Sequence, residues 1–442
     1  MGSGGGKRLL THLIRSKGVA NLVRRAATIV TRTGFGAGRM QTSLLGFAEL
    51  LSRYDAHATF PVTAAALQRH PEVMRQLLPH TPAVELAVHS HRHVDLSLLS
   101  ESELADEIKR AMTVFRAHGI PFSGFRAPYL RWNDHLPAVL QSQGFWYDSS
   151  QCVLWPVVDE CGLNPAESAS VQLLCDFCQP SLAEAHASLP VWLGDLLEIP
   201  VSLPDDEMLV ERMGLKDEDS IARIWIDMLE QCHEREELLV LQLHPERFPV
   251  CSGALERLLQ RARGLRPAVW LANLREVTLW WRARRNLQMD IVSHGENRWE
   301  VTARGPADGV LLVRDAEVEG QTAPWSRRYQ MVPDRHFFLT AGSGPCVGIS
   351  PAASLEVVQF LTHQGYSVEV SSHPDEHGVY LDTDLSSKDD AAPLLTEIET
   401  SSGPLVRWAR WPHGAGAALA ISGDVDALTA WDYALRPLEG RT

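Results

Sequence analysis

Two histidines that lie four residues apart directly after an apolar run have the types and the spacing of metal ligands. The run is Val84–Val88, and the histidines are His89 and His93, with His91 between them. Two imidazoles at this spacing converge on one cation if the chain turns helically after the strand, and neutral imidazole is a common zinc ligand. An isolated pair of this kind is more often two surface or capping histidines, but its position at a strand end favours a metal site.

Two further apolar runs end in a side chain that suits catalysis. Arg126 follows a short apolar run, and a permanently charged guanidinium there can hold and orient a catalytic carboxylate. The alternative for Arg126 is a solvated side chain before the turn at Pro128. His244 ends the run Leu238–Leu243, where a proton donor and a structural cap are equally good interpretations.

The elements that must position these residues alternate between helix and strand as far as residue 285. Helices are predicted over residues 39–53, 71–78, 101–118, 136–143, 220–232 and 253–263. Strands are predicted over residues 58–62, 84–88, 122–125, 145–149, 197–201, 238–243 and 267–271. This alternation predicts a parallel sheet or a βα barrel, with functional groups at the carboxyl ends of the strands.

The segments on either side of this region have a different character. Residues 286–350 contain short alternating runs separated by Gly, Pro and Asp, which predict a small β-rich module, followed by a helix over residues 355–364 and a strand over residues 367–371. Residues 7–30 mix apolar side chains with Lys and Arg, a pattern typical of short amphipathic helices. Such helices pack on the body of a protein or lie on an anionic membrane surface.

The composition restricts the class of protein further. A chain of 442 residues suits two or three domains. The net charge of -14 argues against a nucleic-acid partner. The seven cysteines have no regular spacing, so they imply no disulfide framework and favour a reducing compartment. The sequence contains neither a long apolar stretch nor a signal-peptide pattern, and we therefore expect a cytoplasmic protein without a transmembrane segment.

The ordered motifs between residues 56 and 250 resemble those of the polysaccharide deacetylase family, the NodB homology domain of carbohydrate esterase family 4. The matching motifs are Ala58-Thr59-Phe60, His89-Ser90-x-x-His93, Arg126-x-Pro128-Tyr129, Gly144-Phe145, Tyr147-Asp148-Ser149-Ser150 and Leu241-x-Leu243-His244. The resemblance implies a distorted (β/α) barrel that binds one divalent metal ion through an aspartate and two histidines.

The sequence departs from the family pattern at its opening motif. The family has an Asp-Asp or Asp-x-Asp pair upstream of the Ala-Thr-Phe strand, whereas residues 28–36 contain no acid. Near the other end of the chain, the apolar run Ala417–Gly423 is followed by Asp424 and Asp426, and it resembles the missing first strand. An acidic turn at a frayed chain end is the alternative. The resemblance therefore predicts a circularly permuted deacetylase.

The predicted architecture is an α/β fold, a distorted (β/α) barrel completed by the C-terminal strand, with an inserted small β-rich or α+β domain. Residues 1–36 form an N-terminal amphipathic helical segment and residues 37–285 form the barrel. Residues 286–410 form the accessory domain. Residues 411–442 return to the barrel with the Asp-x-Asp motif.

The resemblance also implies a role for each site residue. Asp426, His89 and His93 would be the metal ligands, and Asp424 the general base that Arg126 orients. The backbone amide of Tyr129 would stabilise the oxyanion, His244 would protonate the leaving amine, and Asp205 or Asp206 would support His244. Zinc is the expected ion, although cobalt, nickel and manganese suit the same ligands.

The function implied is hydrolysis of a carbon–nitrogen bond that is not a peptide bond. The expected reaction removes acetyl from an N-acetylated amino sugar, a saccharide or a sugar precursor by metal-activated water. Two alternatives stay open: hydrolysis of another amide or an O-acetyl ester, and a catalytically inactive barrel that binds carbohydrate. The accessory domain is a possible dimerisation surface.

Overall fold

The computed structural model describes residues 30–78, 84–158, 162–295, 297–326, 328–382 and 391–439. The predicted amphipathic segment before residue 30 lies outside these residues. Within the described part of the chain, no helix combines the length and the apolar character needed to cross a bilayer.

A twelve-stranded sheet, parallel except for one edge pair, forms the larger body of the protein. Its strands are β1 (Ala58–Val62), β2 (Val84–Val88), β3 (Gly124–Phe125), β4 (Tyr147–Asp148), β5 (Cys152–Leu154), β6 (Ser181–Leu182), β7 (Val191–Leu193), β8 (Leu196–Glu198), β9 (Val201–Leu203), β10 (Leu238–Leu243), β11 (Val269–Leu271) and β23 (Ala417–Gly423). The order along the sheet is β6-β5-β9-β10-β23-β1-β2-β3-β4-β8-β7, and β11 pairs with β23 outside this path.

Helices connect the strands and cover the sheet. They are α1 (Gly38–Arg53), α2 (Ala64–Arg69), α3 (Pro71–Leu77), α4 (Glu101–Ala117), α5 (Leu136–Ser142), α6 (Pro165–Cys178), α7 (Glu218–Glu234), α8 (Phe248–Gly264) and α9 (Leu274–Arg284). The long helix α1 is amphipathic, because it buries Met40, Leu44, Phe47 and Leu51 at helical spacing. The start of α4 is set by a capping box in which Ser100 and Glu103 bond each other's backbone N–H groups.

The connection between β8 and β9 shows how strongly the sheet curls. Only Ile199 and Pro200 separate these two strands in the chain, yet they lie towards opposite ends of the sheet path. Two residues span less than about 10 Å, so the two ends of the path must approach each other. The single strand predicted over residues 197–201 is therefore wrong, because the chain changes its pairing partners there. The predicted distorted barrel is confirmed.

The C-terminal strand β23 lies in the middle of this sheet. It pairs in parallel with β10 along its length, from Leu238 opposite Ala418 to Leu243 opposite Gly423, and with β1 on its other side. All seven of its residues are buried. Alternate residues pack into the two hydrophobic clusters on the two faces of the sheet, which explains why the run is apolar without alternation.

The remaining elements form three small sheets with two helices. The elements are β12 (Gln288–Ser293), β13 (Arg298–Arg304), β14 (Leu311–Arg314), β15 (Glu317–Glu319), β16 (Ala323–Pro324), β17 (Tyr329–Val332), β18 (His336–Thr340), β19 (Gly344–Ile349), α10 (Leu355–His363), β20 (Val368–Val370), β21 (His377–Leu381), α11 (Ala391–Thr400) and β22 (Leu405–Trp408). The sheets have the orders β12-β13-β18-β15, β16-β17-β14-β22 and β20-β19-β21. A final helix, α12 (Ala430–Glu439), follows β23. This confirms the predicted β-rich part of the fold class, while the exact domain boundaries stay a prediction.

The sequence interpretation missed four of the described helices, which are α2, α6, α11 and α12. The start of α6 carries a recognisable signal, because Asn164 caps the helix, Pro165 occupies its first turn and Glu167 completes a capping box.

Candidate active site

The predicted site residues gather at one edge of the barrel sheet because they follow neighbouring parallel strands. His89 follows β2, Arg126 follows β3, His244 follows β10 and Asp424 follows β23. The strands lie in the order β10-β23-β1-β2-β3, so their carboxyl ends form a continuous edge. This is the edge at which barrel enzymes carry their catalytic groups.

Asp426 lies between the two histidines of the first motif. Its Oδ1 is 3.3 Å from His89 Nε2, and its Oδ2 is 3.0 Å from His93 Nε2. One ligand atom from each of the three residues lies within 4.8 Å of the other two. Zinc at about 2.0–2.2 Å from nitrogen and oxygen ligands in a tetrahedron sets them about 3.4 Å apart. The donor set and its spacing therefore fit a divalent ion of this kind.

The orientation of His89 is fixed from its far side. Its Nδ1 lies 2.8 Å from the carbonyl oxygen of Arg126, which accepts a hydrogen bond from the ring. The other ring nitrogen, Nε2, is the one that lies 3.3 Å from Asp426 Oδ1 and is the candidate ligand atom. A backbone partner of this kind is typical of histidines that ligate metals.

Asp424 is buried beside this group and is held by two donors. Arg126 Nη1 donates to its Oδ1 at 2.7 Å, and Gln242 Nε2 donates to its Oδ2 at 2.9 Å. That Oδ2 is 3.9 Å from His89 Nε2. The Asp424 carboxylate is therefore fixed next to the candidate metal ligands.

Arg126 is fully buried and uses the rest of its guanidinium on the barrel wall. Its Nη1 donates to Ser422 Oγ at 2.7 Å, its Nε to the Ser149 carbonyl oxygen at 2.9 Å and its Nη2 to Ser149 Oγ at 3.0 Å. The contact with Ser422 ties the guanidinium to β23 itself. A rigid fork of donors therefore joins β3, β4 and the C-terminal strand.

His244 is held by Asp206 and not by Asp205. Asp206 Oδ1 lies 2.7 Å from His244 Nδ1, and Asp206 Oδ2 accepts the backbone N–H of His244 at 2.6 Å. Burial acts to lower the pKa of His244, but the charge and the hydrogen bond of Asp206 outweigh it and raise that pKa well above its usual value. Asp205 instead accepts the backbone N–H of Met208, and burial, with the charge of Asp206, raises its pKa to about 7.

The ligand atoms of Asp205, Asp206 and His244 also lie within 4.8 Å of one another. However, Arg247 Nη1 is 3.7 Å from Asp206 Oδ1, and a guanidinium at that distance repels a second cation. Burial acts to raise the pKa of Asp206, but the charges of His244 and Arg247 lower it below its usual value. Asp206, His244 and Arg247 therefore form a buried ion-paired cluster whose positive charges disfavour a metal ion.

Tyr129 stands at the exposed rim of the site. Its backbone φ is 63°, a positive value that few residues other than glycine adopt, and the φ of the next residue, Leu130, is 54°. Its ring lies edge-on to His93 at a centroid distance of 4.2 Å and is 45% exposed. The strained turn places the Tyr129 ring beside His93, one of the candidate metal ligands.

Two neighbours of the site were missed by the sequence interpretation. Gln242, which binds Asp424, had a signal, since it is the polar residue in the otherwise apolar strand β10. Phe177 lies on α6 and has its ring 6.0 Å from that of Tyr129, with Arg131 stacked on it at 4.6 Å. No motif pointed to Phe177, because its helix is brought to the site only by the fold.

Comparisons with known proteins agree with the motifs. Residues 39–147 match the family model described as polysaccharide deacetylase, which confirms the resemblance for that part of the chain. These residues include His89, His93, Arg126 and Tyr129, whereas β23 and its Asp-x-Asp motif lie outside the match. A search of curated protein sequences gave no match.

Several solved structures are similar to this chain. A probable polysaccharide deacetylase from Pseudomonas aeruginosa PAO1 is 20% identical, with 54% of this chain and 73% of that chain covered and a TM-score of 0.42. The allantoinase Puue is 19% identical, with coverage of 55% and 72% and a TM-score of 0.42. A carbohydrate esterase family 4 pseudoenzyme from Bacillus anthracis is 14% identical, with coverage of 43% and 57% and a TM-score of 0.26.

Proposed function

We propose that this chain, which carries a polysaccharide deacetylase domain, is a metal-dependent hydrolase that removes acetyl from an N-acetylated amino sugar or saccharide. One observation carries the proposal: the Asp426 carboxylate lies between His89 and His93, next to a second carboxylate that is buried and fixed. The other site residues have positions that suit the remaining steps.

Asp426, His89 and His93 would hold the divalent ion, and zinc is the ion that we propose. When bound, such an ion supplies a Lewis acid that polarises the acyl carbonyl and lowers the pKa of water. Three protein ligands also leave a position open, as catalytic zinc sites require.

Asp424 has the position of the general base. Its Oδ2 faces the ligand group, and Arg126 and Gln242 keep its carboxylate in one orientation. A carboxylate fixed in this way can accept the proton of an attacking water without first reorganising. Arg126 is thus a positioning residue that acts through Asp424.

His244 has the properties of the general acid. The buried Asp206 favours the protonated imidazole, and Asp206 occupies Nδ1, which leaves the Nε2 proton for the substrate. Water adds to the acetamide carbonyl, the Tyr129 backbone amide stabilises the oxyanion, and the carbon–nitrogen bond then breaks. The proton from His244 goes to the leaving nitrogen, so that a free amine and acetate are released.

We also propose that the barrel is circularly permuted. The parallel pairing of β23 between β1 and β10, and the approach of Asp426 to the histidines, support this proposal. Residues 286–410 would then be an insertion between the last barrel helix and the displaced first strand.

The reaction is tested with metal-depleted protein to which zinc or cobalt is returned. N-acetylglucosamine oligomers are the substrate, and both acetate and free amine are measured. We expect metal-dependent release of equal amounts of the two products, and loss of activity in Asp426→Ala and Asp424→Asn. The matched control is Asp195→Asn, because Asp195 is an exposed carboxylate that contacts Arg285 at 3.0 Å.

Other outcomes would change the conclusion. Acetate without free amine, from an O-acetylated saccharide, would indicate an esterase. Saccharide binding without any product would indicate an inactive carbohydrate-binding barrel. Activity that survives both chelation and Asp426→Ala would refute the proposed metal site.

A further inference from the structure

Three potential ligands from neighbouring strands meet on the small sheet β20-β19-β21, outside the deacetylase motifs. Cys346 belongs to the central strand β19, Glu369 to β20 and His377 to the start of β21. The central strand is parallel to both neighbours, with Gly348 opposite Glu369 in the register. A cysteine, a histidine and a carboxylate together form a mixed sulfur, nitrogen and oxygen donor set.

The distances between these groups are those of ligands around one small ion. Cys346 Sγ lies 3.4 Å from His377 Nδ1, and Glu369 Oε2 lies 4.0 Å from the same nitrogen. The three ligand atoms are within 4.8 Å of one another. Tetrahedral zinc, with Zn–S of about 2.3 Å and Zn–N of about 2.0–2.1 Å, sets sulfur and nitrogen about 3.5 Å apart. The Cys346 and His377 pair already has this spacing, and the largely exposed Glu369 side chain has room to close the remaining gap.

The backbone leaves space for the imidazole where a side chain would exclude it. A Cβ atom on Gly348 would lie 2.4 Å from Cδ2 and 2.5 Å from Cγ of His377, closer than such atoms can approach. The imidazole therefore occupies the volume that Gly348 leaves open, and Gly348 is the residue that lies opposite Glu369 in the neighbouring strand. The strand sequence thus accommodates the His377 ring in the cluster.

An ordinary hydrogen bond does not account for this arrangement well. The His377 side chain is almost fully buried. Its partner at Nδ1 is a thiol, which is a weak donor, so the burial of the imidazole is poorly compensated. A cation that binds there would release the thiol proton and use the imidazole lone pair.

We propose that Cys346, His377 and Glu369 form a second metal site, which binds a borderline-soft divalent cation such as zinc through sulfur, nitrogen and oxygen. The bound ion would join all three strands of the small sheet. This proposal does not rest on the proposed hydrolase activity, because none of its residues contacts the Asp426 group.

The test uses the sulfur ligand as a spectroscopic label. The full chain is depleted of metal with a chelator, kept reduced without added thiols, and titrated with Co²⁺. A thiolate bound to Co²⁺ gives a charge-transfer band in the near ultraviolet, which the Asp-His-His group cannot give because it contains no sulfur. We expect the band to reach its maximum at one equivalent per chain at this site. The Asp426→Ala variant should keep the band and lose only the cobalt that is bound by the group of Asp426, His89 and His93, which contains no sulfur.

Variants separate the proposed site from other thiols. Cys346→Ser should abolish the band, while the matched control Cys175→Ser, a partly buried cysteine in α6, should keep it. Glu369→Gln changes a largely exposed side chain, so it should fold normally and weaken cobalt binding by at least about tenfold. It thus tests the site even if Cys346→Ser does not fold.

Three results would overturn the proposal: no charge-transfer band at saturating Co²⁺, a band that survives Cys346→Ser, or unchanged cobalt affinity in Glu369→Gln. Failure of the proposed hydrolase would look different. In that case the band from the Cys346 site would be intact, and Asp426→Ala would not change the total amount of cobalt bound by the chain.

Discussion

The ion pair between Arg126 and Asp424 gives the most stringent test of how the C-terminal strand is integrated into the barrel. Arg126 is fully buried and Asp424 is 2% exposed, and their atoms are 2.7 Å apart. Asp424→Ala leaves the guanidinium charge buried without its ionic partner. Removal of one partner from a buried pair costs about 3–5 kcal/mol, because the remaining charge is poorly solvated.

The expected change in Tm follows from the size of the chain. Unfolding entropy of about 2.1 cal/mol/K per residue gives about 0.9 kcal/mol/K for a chain of 442 residues. A loss of about 3–5 kcal/mol then lowers Tm by about 3–5 °C, if the whole chain melts as one unit. The double variant Arg126→Met with Asp424→Leu removes both charges and should recover most of this loss.

The measurement is thermal unfolding of the single and double variants, followed by circular dichroism and calorimetry. The control is Asp195→Ala, which removes an exposed ion pair with Arg285 and should leave Tm unchanged. If Asp424→Ala melts like the unmodified protein, or if the two substitutions add their separate costs, Arg126 and Asp424 are not coupled in the folded protein. The Arg126 guanidinium would then not hold β23 in the barrel.

Three further predictions concern proton transfer, packing and the pH dependence of stability. Asp206→Asn removes the charge that raises the pKa of His244, so the alkaline limb of the kcat/KM profile should move to lower pH; an unmoved limb would exclude His244 as the acid. Ile421→Ala deletes a buried side chain of β23 and should reduce the free energy of unfolding by about 2–5 kcal/mol in denaturant titrations, whereas a loss below about 0.5 kcal/mol would contradict the burial of this strand. Burial raises the pKa of Glu237 from 4.5 to about 7, so the folded state binds this proton more tightly than the unfolded state does, and the stability that the proton contributes is lost as the pH rises through that range. Glu237→Gln should therefore flatten the slope of Tm against pH between these two values, and an unchanged slope would show that Glu237 does not titrate there.

The local sequence determined the parts of the site that belong to single strand ends. The sequence predicts His89, His93 and His244 as site residues because each follows an apolar strand directly in the chain. His89 and His93 also have the four-residue spacing of metal ligands. The same holds for α1, whose apolar spacing lies within one segment, and for α4, whose apolar spacing and capping box do. The family match over residues 39–147 agrees with this part of the interpretation.

The sequence left open which carboxylate serves His244, and only the family resemblance assigned Asp426 to the two histidines. Asp205 and Asp206 are neighbours with the same side chain, and only the backbone direction after β9 turns one towards His244 and the other towards Met208. Gln242 was recognisable as a polar residue in an apolar strand, but its partner Asp424 is 182 residues away.

Tertiary structure alone decided the arrangement of the barrel. Pairing of β23 with β10 and β1 joins residues that are far apart in the chain, and the apolar pattern of a doubly buried strand does not specify its neighbours. The split into β8 and β9 likewise depends on where the sheet curls, because each short segment pairs with a different partner. Local propensities fix which residues form strands, whereas the order of the strands, and with it the meeting of Asp426 with His89 and His93, depends on how all the buried faces pack together.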